Sequence, residues 1–312
     1  MMMRLNSFPK LILILIFLMT LPGLLAAAEE EGEEEYSSKG ADSCLMCHKS
    51  AKWGVMPIFN TKHGSLTDPD APFSNMQCES CHGPGNAHAK AKKKSEVQVP
   101  HTFGDGDMSS ISDQNGACLS CHQDHNMGWF GSKHESVDVG CVSCHSIHED
   151  RDPVFDPLAQ QEICFQCHQS TRADTLKRSG HPLRFGSMAC SDCHNVHDGN
   201  SDYLLAEDNV NDTCYTCHAD KRGPFLWEHA PVTESCSLCH QPHGSNHPAL
   251  LTKRPPLLCQ QCHAAADHPG DAYTSEDIEN TSRSRLLLAR GCMNCHSQVH
   301  GSNHPSGTTQ IR

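Results

Sequence analysis

The sequence predicts a chain of mostly coil, with short α-helices, little or no β-structure, and an elongated, quasi-linear run of five repeats built around bound groups. Three observations predict it. All 20 cysteines fall in ten copies of Cys-x-x-Cys-His, with none left over. Histidines number 24 against 17 Phe, Trp and Tyr, so an aliphatic-aromatic core is scarce for 312 residues. The motifs also recur in pairs, a second period above the first.

Residues 1–28 read as a Sec-type signal peptide. Arg4 and Lys10 form the basic region, Leu11 to Leu18 the apolar one, and Ala26-Ala27-Ala28 the small-residue cleavage site. No cysteine follows before Cys44, so no lipid attachment site is expected. Cleavage would remove two basic residues and no acid, taking the formal charge from -13 to -15, which argues against nucleic acid as a partner. After residue 28 no apolar stretch approaches the ~20 residues that a helical span needs. Residues 29–40, EEEGEEEYSSKG, have little to bury and read as an acidic disordered leader.

Residues 41–312 carry the motifs, in repeats of approximately 44–117, 118–163, 164–213, 214–258 and 259–312. In order the motifs are CLMCH (Cys44, Cys47, His48), CESCH (Cys78, Cys81, His82), CLSCH (Cys118, Cys121, His122), CVSCH (Cys141, Cys144, His145) and CFQCH (Cys164, Cys167, His168). They continue with CSDCH (Cys190, Cys193, His194), CYTCH (Cys214, Cys217, His218), CSLCH (Cys236, Cys239, His240), CQQCH (Cys259, Cys262, His263) and CMNCH (Cys292, Cys295, His296). Hydrophobic periodicity is weak, and Pro and Gly punctuate spacers such as SGHPL and EHAPV. Short helical turns carrying the motifs, joined by loops, are therefore expected. Residues 83–107 form the longest loop, with Lys90 and Lys92 to Lys94 on a solvated face.

Two thiols at this spacing add across the vinyl groups of one haem, and the adjacent histidine reaches the iron from one face. Zinc would group sulfurs in fours, and neither zinc nor a disulfide requires a histidine after every second cysteine. The chain thus reads as a multihaem c-type cytochrome with ten covalent haem c groups and ten proximal ligands, the motif histidines. Each repeat nominates two distal ligands, one in the spacer and one shortly after the second motif. These are His63 and His88, His134 and His148, His181 and His197, His229 and His243, and His268 and His300. A histidine three residues past a motif histidine is too close to reach the opposite face of the same haem, so it is expected to serve a neighbouring one. His101, His125, His247 and His304 are read as spares, while Met76, Met127 and Met188 are read as packing against porphyrin.

Two axial histidines leave no open position for a substrate, so electron transfer is expected and a catalytic residue is not. Each haem has only about 28 residues of mature chain, too few for an independent core, so the interior is haem near haem. At roughly 10 Å between irons and an effective dielectric of ~20, one added electron disfavours the next by about 1.7 kcal/mol. That is on the order of 70 mV for one electron.

At GADSCLMCHK, NDTCYTCHADKRGPFLWEHAPVTESC and CHSQVHGSNHPSG the sequence resembles the periplasmic decahaem cytochromes of outer-membrane porin-cytochrome conduits, the MtrA/DmsE family. The resemblance runs from about Gly40 to the C-terminus, and the non-motif residues of KRGPFLWEHAP make it specific. It implies ten bis-histidine haems threaded into an outer-membrane β-barrel porin. Electrons would pass from a periplasmic or inner-membrane cytochrome donor to an extracellular multihaem cytochrome or terminal reductase, in metal or dimethyl sulfoxide respiration. The residues alone leave two alternatives, a soluble periplasmic electron shuttle and a multihaem reductase of nitrite or hydroxylamine type.

Overall fold

The computed structural model describes residues 35–104, 109–122, 128–197, 202–263 and 291–310. The proposed signal peptide lies outside them. Among the described residues there are eight short α-helices: α1 (Ala41–His48), α2 (Glu79–His82), α3 (Asn86–Lys90), α4 (Ile111–His122), α5 (Pro157–Phe165), α6 (Gln169–Thr175), α7 (Val210–Tyr215) and α8 (Ala230–Glu234). The rest is coil and single 3-10 turns, with isolated bridges in place of strands. No helix among the described residues is long and apolar enough to cross a membrane.

Each motif is one helical turn. The motif turns that end at His48 and His122 lie within α1 and α4, and in the other eight the backbone N–H of the histidine donates to the carbonyl of the first cysteine, at 2.9 to 3.1 Å. Positions i, i+3 and i+4 of such a turn share a face, so both sulfurs and the imidazole project together. The first motifs of repeats one to four lie in or at the end of α1, α4, α5 and α7, while most second motifs sit on isolated 3-10 turns. Local caps explain where the helices start. Asp156 accepts from Leu158 N and Ala159 N, both at 3.0 Å, with Pro157 at the first helical position of α5. Asn209 accepts from Asp212 N at 2.9 Å to start α7.

Buried amides clamp the two motifs of a repeat. Asn115 donates to Val139 O at 3.2 Å and accepts from Cys141 N at 2.8 Å. Asn211 repeats this with Val232 O at 3.0 Å and Cys236 N at 2.7 Å. Just ahead of the third repeat, on the helix that leads into Cys164, Gln160 donates to Val154 O at 2.9 Å and accepts from Ser191 N at 3.1 Å. Buried polar side chains outnumber buried apolar ones among the described residues, twelve to seven. Polar satisfaction, rather than an aliphatic core, therefore organises the polypeptide.

A second device joins successive repeats. Ser245, in the fourth, exchanges backbone hydrogen bonds with Ser179 in the third, at 2.8 Å in each direction. Ser302, in the fifth, does the same with Trp227 in the fourth, at 3.0 Å. Both serines belong to the HGSN segments, and both are buried. The glycines are required: a Cβ on Gly244 (φ +150°) would lie 2.0 Å from Asp174 O, and one on Gly301 (φ +129°) 2.3 Å from the Phe225 ring.

Two expectations meet a different structure. Residues 35–40, the end of the segment read as disordered, dock on the first repeat. Ser37 N donates to the buried Glu79 carboxylate at 2.9 Å, and Asn86 Nδ2 to Glu35 Oε2 at 2.6 Å. A buried carboxylate needs such donors, and the glycine and backbone groups around Glu79 supply them. The described part of the 83–107 loop is not simply coil, since it contains α3 and a 3-10 turn at Lys94–Glu96.

Candidate functional site

The thiols of each repeat lie against each other. Cys44 is drawn down to about 7 by its hydrogen bond with Cys78, whose own thiol is pushed up in turn. The same split lowers Cys190 and Cys236 to about 7 and raises Cys164 and Cys214. It also lowers Cys141 and raises Cys118. In the last repeat Cys259, beside Cys292, is pushed up to about 11, first by burial. Between repeats, burial raises Cys81, Cys144, Cys193 and Cys239, and the thiols of the next repeat add to it. The thiols of successive motifs thus lie near enough to influence one another from the first repeat to the last. No disulfide forms among them.

The histidines are paired as well. Nine proximal candidates each face one distal candidate, at ring-centre separations of 5.9 to 6.4 Å. His48 faces His88 and His82 faces His148. His122 faces His63, and His145 faces His197. His168 faces His134, and His194 faces His243. His218 faces His181, His240 faces His300, and His263 faces His229. The remaining distal candidate, His268, lies outside the described residues, so the surroundings of His296 toward it are not defined.

The pattern is an exchange. From the first repeat to the fifth, the spacer histidine of one repeat faces the first motif histidine of the next. In return, the histidine after the second motif reaches back to the second motif of the repeat before. The first repeat closes on itself through His48 and His88. The exchange is latched by hydrogen bonds: Nδ1 of His134, His181 and His229 donates to Val196 O, Pro242 O and Val299 O at 3.2, 3.0 and 2.8 Å. Each acceptor immediately precedes a returning histidine, His197, His243 or His300.

The spacing fits a metal ion between the rings. Two imidazole-metal bonds of about 2 Å, with about 1 Å more to each ring centre, put trans rings about 6 Å apart. Protonation fits too. Burial, then the facing ring, holds His63, His148, His197 and His243 below the usual histidine range, so the neutral ring dominates. With Nδ1–H committed to carbonyls, Nε2 keeps the lone pair that a metal takes. Carbonyl acceptors also hold His82 (His101 O, 3.0 Å), His88 (Val97 O, 2.6 Å), His194 (Tyr203 O, 2.9 Å), His240 (Ala249 O, 2.8 Å) and His296 (Thr309 O, 2.6 Å). Three of these acceptors, Val97, Tyr203 and Ala249, lie nine residues after their histidines, while His101 and Thr309 lie 19 and 13 residues after theirs.

The spares stand apart from this pairing. His304 Nδ1 accepts from Ser306 N at 3.1 Å, while its neighbour His300 takes the place opposite His240. His247 N donates to Ser245 Oγ at 3.0 Å. His101 supplies a carbonyl to His82, and its own Nδ1 is buried without a hydrogen-bond partner. His125 and Met127 lie outside the described residues.

Comparison with known proteins agrees with this chemistry. A doubled CXXCH motif model matches residues 181–223 and 229–268. A model of cytochrome c-type NrfB-like proteins matches residues 78–157, and one of cytochrome c554 and c-prime matches residues 25–83. The cytochrome c-type protein NrfB of Escherichia coli is 26% identical over 48% of this chain and 77% of its own. The multiheme cytochrome MtrA of Shewanella baltica is 49% identical over 88% of this chain and 82% of its own. The motifs bind haem c, and likeness on that scale extends well beyond them into the spacers. The chain belongs to the MtrA family of multihaem c-type cytochromes, electron carriers rather than enzymes.

Proposed function

We propose that the chain holds ten haem c groups, each between two histidines, and relays electrons from the periplasm through an outer-membrane β-barrel porin. The donor is a periplasmic or inner-membrane cytochrome, and the acceptor an extracellular multihaem cytochrome or terminal reductase. The observation that carries this reading is the pairing of nine motif histidines with nine others, eight of the pairs across repeats and one within the first. Haem supplies reversible one-electron chemistry when bound. The chain's own part is to fix both faces of each iron with neutral imidazoles, so that little reorganises when an electron arrives. Exchange of ligands between repeats keeps neighbouring sites close, and closeness is what electron hopping requires.

His296 is assigned His268 as its partner, which closes the last repeat on itself as His88 closes the first. Export by residues 1–28 would deliver the chain to the periplasm. The similarity to MtrA, over most of both chains, supports the porin partner. The test is fractionation of cells expressing the native protein under mild detergent. The expected result is recovery with the outer membrane and co-purification with a β-barrel porin. Recovery of all the protein as a free periplasmic monomer would overturn the conduit and leave a soluble shuttle.

A further inference from the structure

At the fourth motif the acceptor for the ring nitrogen is different in kind. His145 Nδ1 donates to Asp152 Oδ2 at 2.6 Å, where eight other motif and partner histidines donate to backbone carbonyls. In the corresponding place after the sixth and eighth motifs, the chain offers Tyr203 O and Ala249 O. Asp152 does not reach His145 by chance. Its other oxygen accepts from Ser146 N and Val154 N, both at 3.2 Å, and Pro153 starts the 3-10 turn behind it. The carboxylate is therefore held on both sides, and its side chain is only 13% exposed.

A carboxylate draws the Nδ1 proton more strongly than a neutral carbonyl, and so raises the basicity of the opposite nitrogen. A more basic axial imidazole stabilises the ferric state over the ferrous. The fixed negative charge acts in the same direction. We propose that Asp152 is a potential-setting residue that makes the haem between His145 and His197 harder to reduce than one held by carbonyls. This rests on the bis-histidine reading of that pair. An iron held low in a run of similar sites is the last to fill and the first to empty. It forms a step that an electron must climb from either side.

The test is a potentiometric titration of the intact holoprotein at fixed pH, comparing the wild type with Asp152→Asn and Asp156→Asn. Asparagine keeps an acceptor oxygen and the turn, but loses the charge. Asp156→Asn removes a nearby charge that caps α5 and touches no ring. In Asp152→Asn, one tenth of the absorbance change should move to higher potential, by about tenfold in the one-electron equilibrium, or 59 mV. Superimposable curves, an equal shift in Asp156→Asn, or a shift spread over all the haems would overturn the proposal. If Asp152→Asn fails to load haem, the wild type decides. At least one tenth of its ferric iron should show the strong-field, imidazolate-like paramagnetic signature, and its absence contradicts the proposal. Haem count and near-infrared bands of the wild type test the bis-histidine reading separately, so the two failures are distinguishable.

Discussion

Asn211 sits three residues ahead of Cys214, and its amide holds the backbone of Cys236, the first cysteine of the following motif. Asn115 stands in the same relation to Cys118 and Cys141. Truncating Asn211 to alanine strands a buried N–H, at a cost of about 1 to 3 kcal/mol. Thermal melting of the holoprotein should register that loss without a change in haem content, and an unchanged melt would show that the clamp is idle. The twenty cysteines and ten motif histidines were legible because their chemistry is tied to local spacing. The distal histidines were legible as candidates, but their partners were not. The latches at His134, His181 and His229 join residues 62, 61 and 70 positions apart, and nothing local encodes such a pairing. The carboxylate on His145 escaped notice for the opposite reason: one aspartate among many acidic residues carries no sequence mark.

The HGSN segments show what a short element can do without regular structure. Gly244 and Gly301 let the chain pass within contact of the preceding repeat, and Ser245 and Ser302 then bond to it. This explains why histidines crowd after the eighth and tenth motifs: His243 and His300 travel back one repeat, while His247 and His304 close the turn. Gly244→Ala forces a Cβ against Asp174 O, which the backbone must relieve at about 1 to 3 kcal/mol. The expected result is a lower melting temperature and weakened ligation by His243, read as carbon monoxide binding to a fraction of the reduced haem. A variant that melts like the wild type and binds no carbon monoxide would contradict the latch. The mostly coil class with short helices was legible from weak hydrophobic periodicity and frequent Pro and Gly. The docking of residues 35–40 was not, because it depends on the buried carboxylate of Glu79, some 40 residues away.

Each interior repeat gives one histidine forward and one back, so no interior repeat completes its own sites. Folding, haem placement and electron transfer are then a single problem, as in repeat arrays where each unit buries its neighbour. In the proposed array, with irons at roughly 10 Å, like-charge repulsion of about 1.7 kcal/mol would spread the sites over a broad range of potential, and Asp152 would add a local step to that range. The most direct measurement is near-infrared magnetic circular dichroism of the fully oxidised holoprotein, scaled to protein concentration. The account predicts bis-imidazole intensity equal to ten haems per chain, with no high-spin or methionine-ligated component. Intensity for markedly fewer, or a substantial component with another axial ligand, would contradict the exchange of histidines on which the array depends.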